Sequence, residues 1–548
     1  MEPGRVYRIN INHYLYIEII YNGSEVLLFS SGNTEPGSIT IDQMGSRVQL
    51  LQWEYPFLSF DINDKKMIDF KRFVPTIMYR NMQMMIDGTS KSPSVRRVLL
   101  ENERRYLEAV KTGIQASKNT VELHTHFKEV LGGEEFLNLI LDQIGLDDYF
   151  VFDADDHLID RCRLKKGDPL KIICEEGQKC YTKGDILSNP HLYNLLVSDL
   201  SITPSDQVDF GMLSRISHRR DALIEYASFY RTLDMCQLVA DEGKDGWRKE
   251  IADIRSNNRR ELYVEFLRRS LETLKKQGVK YVEFSFSTGD TIRKMIDQIG
   301  SFEQDGISFR FLYSLHRTKN LDLYTGGKNA LDTILPDLIE QGYVTGFDLM
   351  GMEQPITRSD YRVSKDGSGS LHDKLKVVLE ILTRYPDKFL TLRLHAGEIY
   401  YEPGKGVEND NPLKTLEILD LLVNELNEER KARGEKPLTV PPPEIRIGHG
   451  LHFKGTKKYL ELLRKYKVIV EINASSNFTL GNITRLDDIP YRWYFENKIP
   501  LVISTDGGGF YLTTPLDEIK IAEIFGGREV AEWVSQTNKE VLSSVRRK

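Results

Sequence analysis

Two histidines in VELHTHF, His124 and His126, stand two residues apart, so on a strand both imidazoles project from one face, as two ligands of one metal require. LRLHAGE adds His395 as a third nitrogen donor, with Glu398 one short turn beyond it and Gly397 between them to let the backbone turn sharply. RIGHG holds His449 between two glycines that allow close approach to a ligand, and STDGGG offers Asp506 as a hard oxygen donor. Any one of these histidines alone reads as an ordinary core residue. Together, three His and one Asp around an open position suit a catalytic zinc, which lowers the pKa of its water toward about 7.

The elements that must position these residues recur from residue 121 onward. VELHTHF, YVEFSFS, FRFLYSL, VTGFDLMG, LTLRLHAGE, EIRIGHG, VIVEINASSN and PLVISTDGG read as eight short strands. Most are separated by segments with helical periodicity, such as LHDKLKVVLEILTRY and KKYLELLRKY. Alternation of strand and helix argues for parallel βα units, and eight of them predict a TIM (β/α)8 barrel, whose active sites lie at the strand ends.

Residues 5 to about 75 are rich in Val, Ile, Tyr and Phe with turn signals between, and read as short strands. The expected organisation is α/β: residues 1–90 a β-rich N-terminal domain, 91–120 a linker helix, and 121–548 the barrel, with a helical insertion at about 150–250 after the first barrel strand. NEERKARGEK reads as a solvated helix face.

With 548 residues, 40% hydrophobic and 28% charged, the composition is that of a soluble globular chain and excludes disordered and fibrous classes. The net charge of -7 gives no general attraction to nucleic acid or anionic membranes, so an anionic ligand needs a local cluster of cations. No signal segment or run of about 18 apolar residues is evident, and a cytoplasmic location is expected. Cys162, Cys174, Cys180 and Cys236 form no CxxC pair, which fits free thiols in a reducing compartment.

From about residue 121 to the C-terminus the chain resembles the metal-dependent adenosine and AMP deaminases, through HTH, GFDLMGME, LRLHAGE, RIGHG, ASSN and STDG in that order. The resemblance implies one Zn2+ per chain held by His124, His126, His395 and Asp506. It implies that Glu398 manages the proton at purine N1, that His449 orients or deprotonates the water at the metal, and that the Gly351 backbone N–H meets purine N3. Protonating N1 makes C6 electrophilic, water adds there, and ammonia leaves an inosine-type product.

Two positions depart from the family's pattern. Where it has a second aspartate facing purine N7, this chain has Gly507, and Gly508, Gly509 and Phe510 bring no carboxylate. Where adenosine deaminases have Leu-Asp-Gly after HxH, with the Asp on the ribose 5′ hydroxyl, this chain has Phe127, Lys128 and Glu129. Lys128 reverses the charge beside the 5′ position and favours a phosphorylated substrate, with Arg317 as a second phosphate contact. His316 and His452 lie on the same rim.

The expected activity is therefore deamination of an adenine nucleotide (AMP, dAMP or ATP/dATP), with adenosine or deoxyadenosine as the alternative. A different metal-dependent amidohydrolase and a non-catalytic nucleotide-binding scaffold remain as other readings. The expected partner is a small purine nucleotide or nucleoside, with no nucleic acid and no membrane; homo-oligomerisation through the N-terminal domain or insertion stays open. Bacterial relatives with extra domains that alter nucleotide pools during phage infection make an antiviral role one to test.

Overall fold

The computed structural model describes backbone strands between residues 6 and 69, and then residues 121–154, 158–159, 176–200, 210–240, 247–304, 306–317, 334–351, 353–362, 370–385, 387–388, 390–398, 410–437, 444–480, 482–483, 486–511 and 513–545. The expected linker helix at 91–120 lies outside them. Near the N-terminus, Val6–Asn10, Tyr16–Tyr21 and Val26–Ser30 form an antiparallel three-stranded sheet. Ile39–Met44, Arg47–Gln52, Tyr55–Asp61 and Ile68–Asp69 form an antiparallel four-stranded sheet.

Eight parallel strands follow in chain order: Val121–His126, Tyr281–Phe286, Ile307–His316, Val344–Met350, Thr391–Ala396, Glu444–His449, Ile469–Ile472 and Leu501–Ile503. Each pairs with the next, and the last returns to the first: His126 N–H donates to the Asp506 carbonyl and Asp506 N–H to the His124 carbonyl, both at 2.8 Å. The sheet thus closes into the TIM barrel that strand–helix alternation predicts.

Period-two alternation sorts each strand into two faces. Leu392, Leu394, Ile445 and Ile447 pack outward with helix residues such as Leu375, Leu379, Leu416 and Leu419 in the main core. The intervening residues are charged and fully buried. Arg393 lies 2.8 Å from Glu471 and 3.3 Å from Asp348; Arg446 lies 2.6 Å from Glu283 and 3.2 Å from Glu471. Buried charges of this kind are tolerated only when paired, and here two arginines are threaded among several carboxylates.

The first crossover holds the inserted segment: a β-hairpin of Tyr149–Phe152 and Lys179–Thr182, and the long helices Phe210–Ala240 and Trp247–Lys276. Cys180 in this hairpin is disulfide-bonded, which corrects the expectation of a free thiol there. NEERKARGEK begins in the helix Asn411–Ala432 and closes on local Arg433–Glu435 pairing at the surface. Among the described residues, no helix is long and apolar enough to cross a membrane.

Candidate active site

Barrel closure itself brings the metal-ligand candidates together. His124 and His126 end the first strand, and the backbone of Asp506 pairs with both. His124 Nε2 and His126 Nε2 each lie 3.2 Å from Asp506 Oδ1. Ligands set tetrahedrally about 2.0–2.1 Å from zinc stand about 3.3 Å apart, so this spacing fits a shared cation. His124 Nε2 and Asp506 Oδ1 are also buried without a hydrogen-bond partner. His124, His395 and His449 form a second close group, and Glu398, His449 and Asp506 a third. The four expected ligands therefore meet through His124 rather than in one compact foursome.

Two of these residues sit in the left-handed backbone region at φ 68°, His449 and Asp506. Such strain in a non-glycine residue persists only where the surroundings impose it, and it concentrates at functional sites. Gly448 has a packing reason as well: a Cβ there would lie 2.8 Å from the His124 ring.

Carboxylates behind the histidines fix their rings. Glu471 Oε2 is 2.8 Å from His124 Nδ1, and Asp348 Oδ1 is 3.1 Å from His395 Nε2. Arg393 and His124 hold Glu471 down to about 2 against the upward push of burial. Carboxylate–histidine pairs of this kind set tautomer and orientation in metal sites. Ser476 donates to Asp506 Oδ2 at 2.5 Å, and the Asn477 amide lies 3.1 Å from His449 Nδ1. None of these partners was assigned a role from sequence, although Asp348 lies in GFDLMG and Ser476 and Asn477 in ASSN.

Glu398 stands 3.9 Å from His395 and 3.8 Å from His449. Burial pushes its carboxyl up, but the two imidazoles outweigh that and hold it below the usual value. Burial likewise drives His449 down to about 4. The HAGE turn rests on Glu353, which accepts from Gly397 N–H at 3.0 Å and from Glu398 N–H at 2.6 Å.

His126, His395, Glu398 and Asp506 line a cleft of about 810 Å³, a size suited to a small ligand. Gly351, at φ 102°, lines it with His316 packed against its Cα. Lys128 lines it too, ion-paired to Asp221 at 2.6 Å. The inserted helices add Arg259 and Arg260 to the wall, cations that the sequence reading missed because nothing local marks them as facing the barrel mouth. Arg317 does not line the cleft; its guanidinium reaches the His395 carbonyl and lies 3.6 Å from Glu353. Glu129 fills the space beside Gly507, where a Cβ would lie 2.5 Å from its Oε2.

Residues 444–546, from the sixth strand to the last helix, match the adenosine deaminase family model. The adenosine deaminase of Enterococcus faecalis is 26% identical over 236 residues, covering 38% of this chain and 58% of that protein. That of Plasmodium gallinaceum is 32% identical over 73 residues, covering 13% and 20%. Over these stretches the chain is similar to adenosine deaminases. It spans less than two thirds of the length of these curated relatives. Among solved structures it is similar to the ADAL–IMP complex, at 16% identity and a TM-score of 0.45, covering 79% of this chain and 96% of the other. The N6-methyl-AMP deaminase of Arabidopsis thaliana gives 16% and 0.42, covering 78% and 97%.

Proposed function

We propose that this protein is a zinc-dependent hydrolase that deaminates an adenine nucleotide to its inosine form. The observation that carries the reading is the convergence of His124 Nε2, His126 Nε2 and Asp506 Oδ1 on one point beside Glu398 and His449. His124, His126, His395 and Asp506 would hold one zinc ion per chain. When bound there, zinc supplies a water acidified toward neutrality.

The chain's own groups then divide the work. Glu398 holds the proton at purine N1 as water adds to C6, where the C–O bond forms and the C–N bond to the departing ammonia breaks. Asn477 Nδ2 also donates to the Asn473 carbonyl at 2.7 Å, which sets its amide with the nitrogen toward His449 Nδ1. That leaves the His449 proton on Nε2, so of the two roles open to it the ring orients the attacking oxygen rather than deprotonating it. The Gly351 N–H meets N3.

The nucleotide preference rests on the cleft wall, where Arg260 stands beside Lys128 and Arg259, which pair with Asp221 at 2.6 Å and Glu225 at 2.8 Å. The Lys128–Asp221 pair is the observation that favours a nucleoside instead, since it already neutralises that lysine. Ammonia release from adenosine, deoxyadenosine, AMP, dAMP, ATP and dATP decides between them. Turnover of phosphorylated compounds, with KM raised about tenfold in Arg260→Ala, is expected; turnover of nucleosides alone would overturn the nucleotide reading.

A further inference from the structure

The glycines after Asp506 are glycines for want of space. Gly507 has no positive φ, yet a Cβ on it would lie 2.5 Å from Glu129 Oε2 and 2.7 Å from Glu129 Cβ. On Gly509, a Cβ would lie 2.1 Å from the Leu131 backbone. The Glu129 carbonyl accepts from Gly509 N–H at 2.8 Å and from Phe510 N–H at 3.1 Å, locking the loop after the first strand onto the loop after the eighth. Glu129 therefore stands where a side chain of residue 507 would project, immediately after Asp506.

Its carboxyl lines the cleft and makes no hydrogen bond with the protein among the described residues, although many of the site's other polar groups have partners there. Glu398 stands against His395 and His449, whereas Glu129 stands against Gly507 on the Asp506 side. An adenine ring with C6 over the metal-ligand group and N1 toward Glu398 turns its other edge, which carries N7, toward the loop of Glu129. N7 is an acceptor without a proton, and a carboxylic acid offers one O–H donor.

We propose that Glu129 is a specificity residue that donates to purine N7, bringing from the first-strand loop the group that residue 507 has no room to carry. The inference rests on the deaminase reading and names how that site recognises its base.

The test compares kcat/KM for an adenine compound and its 7-deaza analogue, in which N7 is replaced by C–H, using the zinc-loaded full chain. Wild type is expected to lose about tenfold or more on the analogue. Glu129→Ala should lose as much on the adenine compound and show no further penalty on the analogue. Glu129→Gln, whose amide still donates, should keep the discrimination. Glu129→Gly combined with Gly507→Asp, which leaves no Cβ against residue 507, should restore it, and zinc content and Tm of each variant report folding. Equal turnover of the two compounds by wild type, or a 7-deaza penalty that survives in Glu129→Ala or is lost in Glu129→Gln, would overturn the role. Should Glu129→Ala fail to fold, the Gln and paired variants decide. No ammonia from any adenine compound with wild type would instead overturn the deaminase reading and this inference with it.

Discussion

Asp506 and His124 are joined twice: the Asp506 N–H donates to the His124 carbonyl at 2.8 Å, and Asp506 Oδ1 lies 3.2 Å from His124 Nε2. The backbone contact that closes the barrel thus also sets two candidate metal donors side by side. A cation held there ties the eighth strand end to the first. Zinc at about 100 times its Kd should stabilise the fold by about 2.7 kcal/mol, and chelation should lower Tm by several degrees. Calorimetry of the loaded and stripped protein checks this, and an unchanged Tm would count against a metal at the closure.

Glu471 acts on the metal only through His124. Glu471→Gln keeps the size of the side chain but removes the charge that fixes the ring and balances Arg393 and Arg446. Zinc affinity should fall about 10–100-fold. Titration against a chromogenic chelator measures it; affinity equal to wild type would show that the pair does not support the metal.

Glu398→Gln separates proton handling from metal binding, because the amide fits the same turn over Glu353. Zinc content should stay at one per chain while kcat falls about 10²–10⁴-fold. A variant that kept wild-type turnover would remove Glu398 from proton transfer.

Glu518 makes stability depend on pH away from the metal. It accepts from Ala474 N–H at 2.8 Å and from Thr513 Oγ1 at 2.9 Å, and burial pushes its carboxyl up to about 7. A carboxyl whose folded value is raised favours the fold while protonated. Its contribution is full below about 4.5, the unfolded value, and is lost as pH rises through about 7. Relative to Glu518→Gln, wild type should therefore lose up to about 3 kcal/mol between pH 4.5 and 8. Denaturant unfolding at several pH values checks this; a flat difference would contradict it.

The barrel was legible because its strands alternate faces and its helices keep a 3.6-residue stripe, both local patterns. The same holds for the residues at the strand ends: HTH, HAGE, HG and TDG each lie where a βα loop begins. Asp348 and Glu471 were not legible as ring-holding groups because their partners are set by register between strands far apart in the chain. Arg259 and Arg260 look like ordinary helix residues until the inserted helices are laid over the cleft. Arg317 sits at a strand end, and its engagement by Glu353 and the His395 carbonyl is likewise set by distant register. That Glu129 occupies the space beside Gly507 was not legible either, because the two lie in loops from opposite ends of the barrel sequence.

The most direct test of the account is turnover of AMP in ¹⁸O-labelled water by zinc-loaded protein, with Glu398→Gln alongside. The account predicts one ammonia released for each ¹⁸O incorporated into IMP, and almost none from the variant. IMP without the label, or no ammonia from AMP or any other adenine compound, would contradict hydrolytic deamination at this site.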